Sequence, residues 1–596
     1  MPVSLKDHVP TKGAKTTLGF TSWIANPPAE DNATIVNVLE HLGAVPFVRT
    51  HIPQTMIAFE CHTPLFGITS NPINRGHTPG GSSGGEAALL VADGSVLGVG
   101  SDIGGSLRIP AAYTGCYSLK PSHGRWTRGA LAKYGGGIEG IIFVLGPMAR
   151  TAADVELFFN AVVQATQPPL ISASSSAEEA LAQAVAYEAL LKKLQFTELV
   201  PSPLRPGWSS PLAFAKARGR PLRIGYLYTD GFIKTSPACY RAVYESVDAL
   251  KRKHGAEIEL VRVPASKIRS SEALEIFLAI LGAGGHYSKT EPITRGREAL
   301  VKPIWLAIYL TRFPRFLLAF IAFIARWVLR DPQSARVVRS GYMKSTRELE
   351  GWMVKKYDFI DRFRREVWDG LDLDGYIAPV HAVPALHHYG EPATCLLCLL
   401  VCVLLSPYLF LIAGTADLSM IAAGTSIYNV MDNAVSTVPV TRVDADIDSH
   451  LPPTKKRPAI QQAWTRWIKD KEVQEQCSGI VNFNMYKRSR YDSTRMRGLP
   501  VGVQIVSRLP STVLHPFFFV SHHDWELTLL SRPSMCQVCR PHAEETALGL
   551  MRLLDDALPA PAQRGGAWLV DGDVKREARG FGPGTYTQAV YGKGQA

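Results

Sequence analysis

Cysteine is scarce: nine in 596 residues cannot build the dense disulfide framework of a small secreted scaffold. The opening MPVSLKDHVPTKG holds no apolar run that could serve as a signal peptide, so the expectation is an intracellular, cytoplasmic chain. Charge is also thin, at 19% of residues against 46% hydrophobic, which is the balance of a globular protein with a real core and excludes wholesale disorder. The net charge of +12 is spread along the chain and never gathers into a basic arm, so no nucleic acid partner is expected. Metal-ligand spacing is almost missing. Two CxxC pairs occur, Cys395/Cys398 and Cys536/Cys539, the second close to His542. The first pair lies inside CLLCLLVCVLL, a poor setting for thiolate ligands, and no metal site is expected. No internal repeat is visible.

Long apolar runs are few. Residues 395–414, CLLCLLVCVLLSPYLFLIAG, have the length of a bilayer-spanning helix on hydropathy alone. Residues 303–330 mix bulky apolar side chains with Arg312, Arg315, Arg326 and Arg330 and contain no acid before Asp331. Arg312, Pro314 and Arg315 interrupt that run, which predicts two helices, either buried or lying in a membrane interface.

Elsewhere strand-like and helix-like segments alternate. VLGVGSDI predicts a strand, EAALLVADG a helix ending at Gly94, and the stretch from Gly140 to Ala165 a buried strand followed by a helix. Thr151 and Asp154 stand at capping-box spacing at that helix start. LRIGYLYTDG, ACYRAVYESVDALKRKHG and EIELVRVP continue as strand, helix and strand. Such alternation predicts an α/β fold with helices packed on a largely parallel or mixed sheet. Residues 170–211 read as a surface excursion and 561–596 as a loosely ordered tail.

The stretch HTPGGSSGGEAALLVADGSVLGVGSDIGGSLRIP, residues 77–110, sets two glycine-flanked serine sites around an apolar segment. A phosphate-binding loop would need Lys where Glu86 follows Gly85, and Gly98, Gly100 and Gly104 are one residue too widely spaced for a dinucleotide fingerprint. Nucleophilic acyl transfer remains. GSSGG matches the G-x-S-x-G elbow around Ser83, but NPINRGHTP before it cannot be the buried strand that an elbow needs. In SDIGGSLRIP, Gly104 and Gly105 let successive amides turn into one hollow beside Ser106. A serine needs a base. His77 and His123 are near in sequence without a context that singles them out, and the alternative is a buried neutral lysine relaying through a second serine.

PVSLKDHVPTKGAKTTLGFTSW, TPGGSSGGEAAL and GSDIGGSLRIPAAYTGCYSLKPSHGR, with IPQTMIAFECHTPLFG, GPMAR, SIYNVMDNAVSTVPVTRVD and LPVGVQIV, resemble the amidase signature family. The likeness is strongest to its fungal acetamidase-like and fatty acid amide hydrolase-like branch. That resemblance implies a large mixed β-sheet sandwiched between α-helices in one domain over residues 1–560. It implies hydrolysis of a small or lipophilic carboxamide through a Ser-Ser-Lys triad and an acyl-enzyme, with no metal and no organic cofactor. Carried onto this sequence, Ser106 is the nucleophile, Ser82 the bridging serine on a cis peptide and Lys6 the base. Amides of Ile103, Gly104, Gly105 and Ser106 form the oxyanion hole, Ser83 supports the hydrogen bonds, and Met56 lies near the acyl group. Asp102 and Arg108 match the motif as scaffold.

Three features depart from the family pattern. Members carry a helical region ahead of the lysine motif, whereas five residues precede Lys6 here. The expectation is a domain truncated at its N-terminus, with Lys6 hydrated near a frayed end. Segments near 394–413 and 508–540 have no family counterpart and read as translated intervening sequence. Residues 303–330 correspond to apolar helices that, in the fatty acid amide branch, dip into one membrane leaflet, so peripheral membrane contact is one expectation and a lid packed over the site the other. The alternatives to a general amidase are a lipid amide or ester hydrolase at a membrane surface and an inactive family member. Oligomeric state is not legible.

Overall fold

The computed structural model describes residues 1–559 except 130, 132–138, 170–175, 197–209, 287–297, 299–300, 302–310, 329, 389–422, 450–458, 470–472, 474–476, 478–490 and 509–542. Both CxxC pairs, His542, the apolar run 395–414, most of the two segments without family counterpart and the tail 561–596 therefore lie outside the described residues.

In chain order the strands are β1 (Pro2–Lys6), β2 (Val45–Thr50), β3 (His62–Thr63), β4 (Gly67–Ile68), β5 (Leu97–Asp102), β6 (Tyr117–Lys120), β7 (Val144–Ala149), β8 (Leu222–Tyr226), β9 (Ile258–Arg262), β10 (Gly375–Pro379), β11 (Val435–Arg442) and β12 (Pro500–Ser507). Ten of them form one sheet in the order β2-β1-β5-β7-β6-β11-β12-β10-β8-β9, while β3 and β4 make a separate hairpin. β1 runs parallel to both β2 and β5, and β8 parallel to β9 and β10. The centre, β5 to β7 and β6 to β11 to β12 to β10, is antiparallel. The sheet is mixed.

Every residue of β5, β7 and β12 is buried, so both faces are covered, and these strands read as apolar runs instead of alternating ones. Four helices near the site matter here: α1 (Thr34–His41), α2 (Gly84–Val91), α3 (Arg108–Thr114) and α4 (Ala152–Ala165). The α4 start is capped as its sequence predicts, the Thr151 side chain accepting from the Asp154 amide at 3.0 Å; such a cap ties down an amide that the helix leaves without a partner. The described part of the 170–211 excursion is an exposed helix, Ala177–Lys193, with its own capping box at Ser176 and Glu179.

No helix among the described residues is long and apolar enough to cross a membrane. Of the run 303–330, a helix spans Arg315–Phe323 and continues as a π-helical turn over Ile324–Val328. Its inner side buries Leu318, Ile321, Ala322 and Ala325, while Phe316, Phe320, Phe323 and Trp327 stand 77%, 57%, 56% and 64% exposed.

Candidate active site

Three pieces of backbone converge on one end of β1 and β5. β1 carries Lys6 at its last position; the loop before α2 carries Ser82 and Ser83; the loop from β5 into α3 carries Ser106. The Gly81–Ser82 peptide is cis. The Lys6 ammonium nitrogen lies 2.7 Å from Ser82 Oγ and 2.8 Å from Ser101 Oγ. Ser83 Oγ accepts from the Ser101 amide at 3.2 Å, and the Ser83 amide donates to the Ser106 carbonyl at 3.1 Å. Ser83 thus ties the loop before α2 both to β5 and to the loop that carries Ser106. The Ser106 hydroxyl has no hydrogen-bond partner among the described residues.

The expectation of a hydrated Lys6 is corrected. Lys6 is 0% exposed because β1 is not an edge strand: β2 and β5 flank it, with Lys6 opposite Thr50. Burial pushes the ammonium down to about 7, against the opposing pull of Cys61, Asp102 and Glu86. Loss of water favours the neutral amine, which is the form that can accept a proton.

Gly105 departs from its expected role. Its amide donates to Asp102 Oδ1 at 2.9 Å, and the Leu107 amide to Asp102 Oδ2 at 3.1 Å, so the Gly105 N–H is spent on holding the loop. The amides of Ile103, Gly104 and Ser106 have no acceptor among the described residues. Gly105 has φ +130°, and a Cβ there would come within 2.5 Å of Thr425 Oγ1, so glycine is required for a conformational and a packing reason together. Thr425 in turn donates to the Gly104 carbonyl at 2.6 Å.

Asp102 and Arg108 form a fully buried ion pair at 3.0 Å. Burial alone would raise the Asp102 carboxyl, but Arg108, with Asn429 donating at 2.9 Å, holds it below the usual carboxylate range. The guanidinium also reaches the Thr425 carbonyl, Gln504 Oε1 and Asn429 Oδ1 at 2.9, 3.2 and 2.7 Å. Buried charge survives only when it is satisfied in this way.

Met56 sits in the Gln54–Met56 turn with φ +61° and packs on Leu18, Phe20 and Ile52. His77 is buried and stacks on His387 with ring centroids 3.8 Å apart, while the His123 amide donates to Asp432 Oδ1 at 2.9 Å on an exposed loop. Among the described residues, neither histidine is hydrogen-bonded to Ser82, Ser83, Ser101 or Ser106. Ser101 is a residue that sequence reasoning did not single out; the signal for it was its place one residue before Asp102, on the strand that pairs with β1.

A family model described as Amidase matches residues 1–510. Fatty-acid amide hydrolase 1 of Sus scrofa is 31% identical over 464 residues, 76% of this chain and 66% of that protein. An acetamidase of Emericella nidulans is 27% identical over 509 residues, 85% of this chain and 73% of its own. An amidase of Gibberella moniliformis is 45% identical over 167 residues, 28% of this chain and 31% of that one. The chain thus spans less than two thirds of several curated relatives it matches. Among solved structures, a fatty acid amide hydrolase superposes with a TM-score of 0.62 at 21% identity, covering 94% of this chain and 73% of the other. A 6-aminohexanoate cyclic dimer hydrolase gives 0.56 at 16% identity, covering 95% and 86%.

Proposed function

The chain belongs to the amidase family, and from that premise we propose that it hydrolyses a carboxamide to a carboxylate and ammonia or an amine, with Ser106 as nucleophile, Ser82 as proton relay and Lys6 as base. The observation that supports this most is Lys6, wholly buried and 2.7 Å from the hydroxyl of Ser82. In the reaction, neutral Lys6 takes the Ser82 proton while Ser82 takes that of Ser106, and Ser106 Oγ forms a bond to the substrate carbonyl carbon. Substrate binding would bring the Ser106 hydroxyl onto Ser82, since catalytic contacts of this kind tighten when the ligand binds.

The oxygen that gains negative charge would be received by the amides of Ile103, Gly104 and Ser106, which have no other acceptor among the described residues. Ser83 holds Ser101 and the Ser106 backbone in place, and Met56 borders the acyl side. As the tetrahedral adduct collapses, the carbon–nitrogen bond breaks and the proton on Lys6 returns through Ser82 to the leaving nitrogen. Water then gives its proton to the same relay and its oxygen to the acyl carbon, freeing Ser106.

The test is covalent labelling by a fluorophosphonate probe together with a substrate panel from acetamide to oleamide. Labelling and turnover are expected in the wild type and absent in Ser106→Ala. A label that persists in Ser106→Ala and vanishes in Ser83→Ala would move the nucleophile to the elbow reading, and no label at all would mark an inactive member. A second reading, hydrolysis of lipophilic amides or esters at a membrane surface, is favoured by the outward aromatic side of Arg315–Phe323.

A further inference from the structure

We propose that Glu86 is a positioning residue for Lys6: its buried carboxyl, held by the Ser4 and Thr50 hydroxyls that stand on either side of the base, helps to set by its own charge whether the base meets the substrate with or without a proton. The inference rests on the amide hydrolase reading of Lys6 and Ser106. Glu86 stands in the first turn of α2 and is 0% exposed. Oε2 accepts from Ser4 Oγ at 2.6 Å, and Oε1 from Thr50 Oγ1 at 2.7 Å. These two donors bracket Lys6. Ser4 precedes it by two on the same strand and so shares its face, and Thr50 is its partner in register across β1 and β2. On the third side, β5 makes room with Gly98, where a Cβ would lie 2.4 Å from Glu86 Oε2.

What separates Glu86 from the other carboxyl near Lys6 is the lack of a cation to cancel it. Asp102 spends its charge on Arg108 at 3.0 Å, whereas Glu86 receives hydrogen bonds only from hydroxyls among the described residues. An ionised Glu86 therefore adds its pull on Lys6 to the larger one from Asp102, with no cation of its own to offset it among the described residues. Burial pushes the carboxyl up to about 7, against the Ser4 and Thr50 hydrogen bonds and the pull of Lys6, which places its change of charge beside that of Lys6.

Several titratable groups around the pair are held away from that range. The Cys61 and Cys116 thiols are pushed up to about 12 by burial, and the buried His8 ring is held well below its ordinary value. His51, beyond β2, is pushed down to about 4, also by burial. Arg49 on β2 faces Asp7 at 3.6 Å on the outer side, and Arg108 on α3 belongs to Asp102.

The sign follows directly. A carboxylate at Glu86 stabilises protonated Lys6, so removing that charge frees the amine at lower pH. The experiment measures the rate of fluorophosphonate labelling and kcat/KM for oleamide from about pH 5 to about pH 9 on the full chain. Glu86→Gln is expected to move the acid limb down by about one pH unit. Thr50→Val keeps the carboxyl but removes a bond that favours its ionised form, and is expected to move the limb the same way by less. A rate lowered equally at every pH with the limb unmoved in both variants would reduce Glu86 to a packing role and overturn the inference alone. A wild type that takes no label at Ser106 overturns the hydrolase reading and this inference with it.

Discussion

Lys6 is placed where a lysine is costly. Its buried value of about 7 lies below the ordinary 10.5, so the folded chain releases the proton first. Between those two values the unfolded chain binds more protons, and stability rises with pH; below about 7 both forms are protonated and the full penalty, about 5 kcal/mol, remains. Lys6→Met should therefore abolish turnover and raise stability at pH 7 by ~2–4 kcal/mol, with the gain fading as pH approaches 10.5. Thermal melts of the two proteins at three pH values check this; a variant less stable than wild type at every pH would show that Lys6 is held for structure. At this scale the sequence singles out Lys6 and Ser82, 76 residues apart, and the fold brings them to 2.7 Å; the roles proposed for them and for Ser106 await the labelling test. Ser101 was not legible, because its contact with Lys6 at 2.8 Å exists only once β5 lies beside β1. The Gly105 contact was hidden for a related reason: a glycine-rich loop announces free amides, but it does not say that Asp102, three residues earlier, accepts from one of them.

The helix Arg315–Phe323 shows why an element can be found in a sequence without its purpose. It is apolar on all sides, and such a helix belongs either inside a core or against lipid. The structure divides the two sides, with Leu318 and Ile321 inward and Phe316, Phe320, Phe323 and Trp327 outward at intervals of four, three and four residues. The outward side, bordered by Arg315 and Arg326, has the make-up of an interfacial helix. Pelleting with phosphatidylcholine–phosphatidylserine vesicles is expected for the wild type and should fall at least tenfold in Phe316→Asp/Phe320→Asp, as two exposed Phe each carry roughly 1.5–3 kcal/mol of transfer. Equal pelleting of both proteins would leave the stripe as surface alone. Other elements were readable down to their caps, such as α4 at Thr151, because capping chemistry is local. The sheet order was not, because it is set by pairings between segments hundreds of residues apart, such as β6 with β11.

For the molecule as a whole, Arg108 is the knot. One guanidinium gathers Asp102, Thr425, Asn429 and Gln504, so the loop that would bind the oxyanion is fixed by segments from both ends of the chain. Sequence reading treated Arg108 as scaffold without its partners, since a planar five-donor group leaves no trace of where its acceptors come from. The opposite side of the site is built differently. β1 is separated from the sheet's outer border by β2 alone, and β2 presents Val45 and Phe47 at 59% and 50% exposure. Border strands open by local fluctuation more readily than central ones, and each opening would admit water to the Lys6 amine and restore its proton. Warming should consequently end the proposed hydrolysis several degrees before the chain denatures, reversibly on cooling, with amide hydrogen exchange fastest at Val45–Thr50; turnover and ellipticity lost at one temperature would mean that the border is as firm as the middle.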